Sequence, residues 1–190
     1  INMLTGLLVP DGGVAMILGH NVWQDVNAAK RLIGLMPQPE QIFPTLTGMQ
    51  LVVYAGMLRG MPRAEAAARA KDLIAAFDLT AAANIMVRDY SAGMTKKICL
   101  ATAMIHSPRI LVLDEPFESV DPVSSANIKD ILVDYVHTGG TVVISSHVMA
   151  LVERMCTHVA VVNQGQVVAA GTVAQVAAGE DLEERFLQLV

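Results

Sequence analysis

Residues 110–121, Ile-Leu-Val-Leu-Asp-Glu-Pro-Phe-Glu-Ser-Val-Asp, constrain the fold of this chain more than any other stretch. Four apolar residues stop at two adjacent carboxylates, Asp114 and Glu115, and Asp121 follows six residues after the second. A short continuous apolar run is how a strand buried on both faces of a parallel sheet reads. In open α/β sheets, ligands sit in the crevice beyond the carboxyl ends of such strands. Two acids delivered there suit a hard cation and a general base, the needs of phosphoryl transfer. Taken alone, an Asp-Glu pair fits a solvated strand end just as well, so the rest of the chain has to decide.

Two further apolar runs end in a polar residue of different chemistry. Residues 31–37 lead to Gln38, and residues 141–145 lead, through Ser146, to His147. If the three strands are parallel, Gln38, Asp114-Glu115 and His147 converge at one edge of the sheet. A lone Gln after a strand is usually a loop residue and a lone His a cap; convergence of all three by chance is much rarer. Residues 13–18 and 159–162 also read as strands, and the segment around Asn163-Gln164-Gly165-Gln166 as a hairpin. Helical periodicity covers residues 47–59, 62–77, 94–106, 123–136 and 147–155, with a final amphipathic helix over 180–190. Alternating strands and helices predict α/β architecture with a parallel sheet. Residues 45–106 interrupt it as an all-helical insert. Residues 1–8 read as the end of a helix whose beginning lies outside the sequence.

Composition bounds the options. Apolar residues make up 53% of the 190 and charged residues 16%, so disorder is not expected. No apolar stretch approaches the ~20 residues of a membrane span. A mean hydropathy of +0.47 without a span predicts a well-buried sheet plus an apolar face for a partner. The net charge of −5 argues against a nucleic-acid surface. Cys99 and Cys156 lack metal spacing, which predicts reduced thiols in a cytosol.

Tyr90-Ser91-Ala92-Gly93-Met94 opens the third helix of the insert. Ser91 is a good N-cap, and Gly93 leaves backbone N–H groups uncovered in the first turn. Such a helix start attracts anions, phosphate especially. Lys96 and Lys97 lie close to this positive helix end, where the dipole disfavours cations. A bound anion offsets that cost, and two solvated lysines explain it equally well.

The order of these segments resembles the ATP-binding subunit of an ABC transporter, from just after its phosphate-binding loop to near its C-terminus. Residues 90–94 resemble the signature motif Leu-Ser-Gly-Gly-Gln, and residues 110–115 resemble Walker B with its catalytic glutamate. Ser119-Val120-Asp121 resembles the D-loop, Gln38 the Q-loop glutamine and His147 the switch histidine. Tyr-Ser-x-Gly-Met and Ile-Phe-Pro-Thr-Leu-Thr (residues 42–47) are similar to the branch that exports drugs, antibiotics and small ions.

The resemblance implies a P-loop NTPase-like parallel sheet flanked by helices, with residues 1–44 and 107–171 as core lobe. It implies a helical signature subdomain at 45–106 and a helical tail at 172–190. It implies an ATPase with ATP and Mg2+, at the cytoplasmic face of a membrane. The partners it implies are a transmembrane permease subunit and a second cassette packed head to tail, and no nucleic acid. Asp114 would hold Mg2+ through water, Glu115 would polarise the attacking water, and Gln38 would sense both. His147 would contact the γ-phosphate. Ser91 and the Gly93 N–H would bind the γ-phosphate of a nucleotide held by the opposite cassette, with Asp121 across that interface.

Some features depart from the family pattern. The 190 residues contain no Gly-x-x-x-x-Gly-Lys-Ser/Thr loop, so by themselves they are expected to bind ATP very weakly. Ala92 and Met94 replace the first signature glycine and the glutamine, and Phe117 stands where a small hydroxyl residue is usual. Two other readings compete: a soluble ABC-type ATPase acting on ribosomes or DNA, and a non-hydrolysing cassette. Glu115 and His147 argue against the second.

Overall fold

The computed structural model describes residues 1–190, in two compact units, residues 1–145 and 146–190. The first unit opens on β1 (Met16–Ile17) and β2 (His20–Asn21), an antiparallel pair, followed by α1 (Val26–Leu32). Strand β3 (Ile33–Leu35) then leads into the insert. Helices α2 (Gly48–Leu58), α3 (Arg63–Ala76) and α4 (Ala92–Met104) form the insert, with α2 packed on the other two. Strand β4 (Ile110–Asp114), helix α5 (Pro122–His137) and strand β5 (Thr141–Ser145) complete the unit.

The sheet that matters has the order β3-β4-β5, all parallel. Its middle strand is hidden: Leu111, Val112 and Leu113 are each at most 1% exposed. That burial is the reason the segment reads as an unbroken apolar run and not an alternating one. Beneath the sheet, Ile17, Val22, Ala29, Ile33 and Val112 form one apolar cluster. Helix α4 is buried around most of its circumference, from Lys96 to Ala103, as expected of a helix threaded through a core.

Helix α2 begins at a capping box. Thr47 Oγ1 accepts from Gln50 N–H at 3.2 Å, and Gln50 Oε1 accepts from Thr47 N–H at 3.0 Å. At its far end, Arg59 Nη1 donates to the Lys30 carbonyl at 2.7 Å, tying the helical insert to α1.

The second unit holds α6 (Met149–Met155), the antiparallel hairpin β6 (His158–Asn163) and β7 (Gln166–Thr172), α7 (Val173–Ala177) and α8 (Leu182–Leu189). Its own small core gathers Val152, Val161, Val176, Ala177 and Leu182. No helix in the chain is long and apolar enough to cross a membrane.

Three sequence expectations need correcting. Residues 1–8 form turns, with Thr5 N–H bonded to the Ile1 carbonyl, and not the tail of a helix. The strand expected over 13–18 shrinks to Met16–Ile17, because Gly12 and Gly13 precede it and Leu18-Gly19 turns sharply with positive φ. Residues 31–37 are not one strand either: the first two close α1, and pairing with β4 begins at Ile33.

Candidate functional site

Parallel register brings the strand ends together. Asp114, the last residue of β4, lies opposite Ser145, the last of β5. The Met36 N–H donates to the Val112 carbonyl at 3.0 Å, which carries the neighbouring chain past β3 towards Gln38. Gln38 Nε2 donates to Asp114 Oδ2 at 3.4 Å. The Ser145 hydroxyl donates to the other oxygen, Oδ1, of the same carboxylate. That hydroxyl also accepts from the Glu115 N–H at 3.1 Å. Ser145 thus fixes Asp114 through its side chain and Glu115 through its backbone. Sequence reasoning passed over it, although it stands two residues before the singled-out His147 and ends an apolar run.

Glu115 has φ +45°, a left-handed conformation that costs a residue with a β-carbon about 1–2 kcal/mol. It also precedes Pro116, which disfavours helical backbone in the residue before it. The surroundings hold the conformation. Ser145 takes the Glu115 N–H, while the Glu115 carbonyl accepts from Lys96 Nζ at 3.0 Å and from the Glu118 N–H at 3.3 Å. Lys96 and Lys97 are 8% and 6% exposed, so neither is the solvated lysine that the sequence allowed. Cys99, on the same helix, is buried, and burial pushes its thiol up to about 12, beyond the range of a reactive thiolate.

The first turn of α4 forms a second group. Ser91 is exposed and caps the helix, its hydroxyl accepting from the Met94 N–H at 3.3 Å. Gly93 is buried against the start of α5. A β-carbon there would stand 2.6 Å from both Asp121 Oδ2 and Ser124 Oγ. Asp121 caps α5, with Oδ1 accepting from the N–H groups of Val123 and Ser124 at 3.1 and 2.9 Å. The Ser124 bonds, ahead of the Val123 bond, hold its carboxyl below the ordinary value. Signature-like and D-loop-like residues therefore lie together on one protomer. His147 falls in the other unit, two residues after β5 and exposed, just ahead of α6.

The donor set at the strand ends fits Mg2+. Asp114 supplies a carboxylate, and Gln38 and Ser145 add an amide and a hydroxyl, all hard oxygen donors. Mg2+ takes few protein ligands and keeps several waters.

The parallel strands thus bring the Asp114-Glu115 pair, Ser145 and the Gln38 amide, which lies three residues past β3, to one edge of an α/β sheet. The sequence profile described as ABC transporter matches residues 1–118, and the chain belongs to that family. It is 33% identical over 172 residues to the linearmycin resistance ATP-binding protein LnrL of Bacillus subtilis, covering 90% of this chain and 55% of that protein. The daunorubicin/doxorubicin resistance ATP-binding protein DrrA of Streptomyces peucetius is 34% identical over 92% of this chain and 53% of its own length. The chain thus spans about half the length of these curated relatives. A solved ATP-binding subunit of an ABC transporter matches with a TM-score of 0.88 at 24% identity, covering 99% of this chain and 80% of that one. That likeness shows the fold.

Proposed function

We propose that this chain is part of the ATP-hydrolysing subunit of an export-type ABC transporter, driving a transmembrane permease from the cytoplasmic face of the membrane. The observation that carries the reading is the Asp114–Glu115 pair at the end of β4, with Gln38 and Ser145 bonded to Asp114. Support for export comes from the relatives, named for drug and linearmycin resistance and, in Cupriavidus metallidurans, for Nod factor export. In this reading the core lobe comprises 1–44 and 107–171, the signature subdomain 45–106 and a helical tail 172–190.

In this reading each site residue takes the role that the family resemblance implies. When bound, Mg2+ would neutralise negative charge on the phosphates. Asp114 and Gln38 would hold it, largely through water. Glu115 takes the proton of the attacking water as its oxygen bonds to the γ-phosphorus, and the bond to the ADP oxygen breaks. His147 contacts the γ-phosphate. Ser91 and the Gly93 N–H reach the γ-phosphate held by a second cassette, and Asp121 faces that cassette. The two cassettes pack head to tail with two-fold symmetry, as a homo- or heterodimer.

The test is Glu115→Gln in the full-length gene product. The amide keeps size and hydrogen bonding and loses the base. ATP binding should persist, and turnover should fall by about 10²-fold or more. Near-normal turnover would overturn the assignment of Glu115.

A further inference from the structure

Lys96 occupies a position where lysine is rare, 8% exposed on a helix that also buries Lys97, Ile98, Leu100 and Ala101. A buried polar group is tolerated when its hydrogen bonds are used. Here the bond goes from Nζ to the Glu115 carbonyl at 3.0 Å. The bonded residue is the one in the acid pair with left-handed backbone, φ +45°. Its N–H is taken by Ser145, and its carbonyl also accepts a longer bond, 3.3 Å, from the Glu118 N–H. A backbone held in a sparsely populated conformation persists only where its surroundings over-determine it.

We propose that Lys96 is a positioning residue for the water-activating carboxylate. By gripping the Glu115 carbonyl it fixes the backbone of that residue, and so the direction in which the Glu115 side chain leaves the strand end. The inference rests on the reading of Glu115 as the general base. Catalytic groups lose rate steeply when displaced by about 1 Å. Losing one of the holding bonds should therefore lower the rate of the chemical step while leaving nucleotide binding alone.

The experiment uses the full-length gene product. Lys96→Met keeps chain length and removes the donor, and Lys96→Arg keeps a donor at similar reach. Lys96→Met should lower kcat about 10-fold with the ATP dissociation constant and thermal midpoint unchanged, and Lys96→Arg should recover most of the loss. In a Glu115→Gln background, Lys96→Met should cause no further loss, because the group it positions is already gone. Unchanged kcat in Lys96→Met overturns the inference, as does an equal loss in the Glu115→Gln background. A fall in thermal midpoint with no recovery by Lys96→Arg gives Lys96 a purely structural role and also overturns it. Normal turnover of Glu115→Gln by itself would instead remove the reading on which the inference rests.

Discussion

His106 sits at the junction of the helical insert and the sheet, where its Nε2 donates to the Ile33 carbonyl at 3.0 Å. Its Nδ1 is buried without a partner. Protonating that nitrogen would create a buried donor with nothing to bond. Burial first, and then the Arg59 guanidinium, accordingly push the ring down to about 4 from 6.5. In the unfolded chain the ring takes up its proton near 6.5, whereas in the folded chain it does so only near 4. The unfolded state therefore binds more protons across that window, and stability falls as pH drops from 6.5 towards 4. Each pH unit is worth about 1.4 kcal/mol in full. Because the ring is partly solvated, about 1–2 kcal/mol in all is expected after screening. His106→Gln retains a donor for Ile33 and cannot titrate. Urea midpoints at pH 7.5 and 5 should show wild type losing about 1 kcal/mol more than the variant; equal losses would clear His106 of the effect. At this scale, Asp114, Glu115 and Gln38 were legible because each ends an apolar run, a pattern of sequence alone. Ser145 and Lys96 were not. A serine after a strand is commonplace, and what a lysine reaches from inside a helix depends on a neighbour 19 positions away.

Among the elements, the contact of β3 with α4 sets how the insert meets the sheet. Gly34 lies in β3, and a β-carbon there would stand 2.2 Å from the Ala103 carbonyl oxygen, 2.7 Å from Pro108 and 2.8 Å from Leu111. A backbone oxygen cannot step aside as a flexible side chain can. Gly34→Ala should therefore cost about 3 kcal/mol, the upper range for overpacking. Gly12→Ala, with nothing within 4 Å of its added carbon, should stay within about 0.5 kcal/mol. Thermal unfolding of the two variants decides it, and equal midpoints would mean that β3 and α4 can part at little cost. The long helices and the strands β4 and β5 were readable within a residue or two, since periodicity over ten or more residues, or an unbroken apolar run, leaves few alternatives. The seven-residue α1 escaped notice because it runs without a break into the apolar residues of β3. Gly34 itself read as one more small residue in an apolar run, because close approach is a property of the packed pair.

On the scale of the whole molecule, the signature-like turn and the D-loop-like turn share one surface. Gly93 is pressed against Asp121 and Ser124, while Ser91 and Asp121 are exposed. Asp121 spends its Oδ1 on its own helix, so its place at the start of α5 is fixed before any partner arrives. A preformed, exposed patch of this kind suits an interface completed by a second cassette. ATP would then join the partners, since its γ-phosphate meets both, and association should depend on ATP and reverse on hydrolysis. Ser91→Arg tests this. It places a long side chain on an exposed position of the patch and leaves the Asp114, Glu115 and Gln38 cluster untouched. In the full-length gene product it should abolish turnover while the monomer's ATP affinity stays nearly unchanged. In a Glu115→Gln background, which should hold the ATP-bound dimer, it should also shift the population back to monomer by size-exclusion chromatography with light scattering. If turnover and ATP affinity fell together, Ser91 would be serving its own fold or its own site, and the shared-site reading would have to be given up.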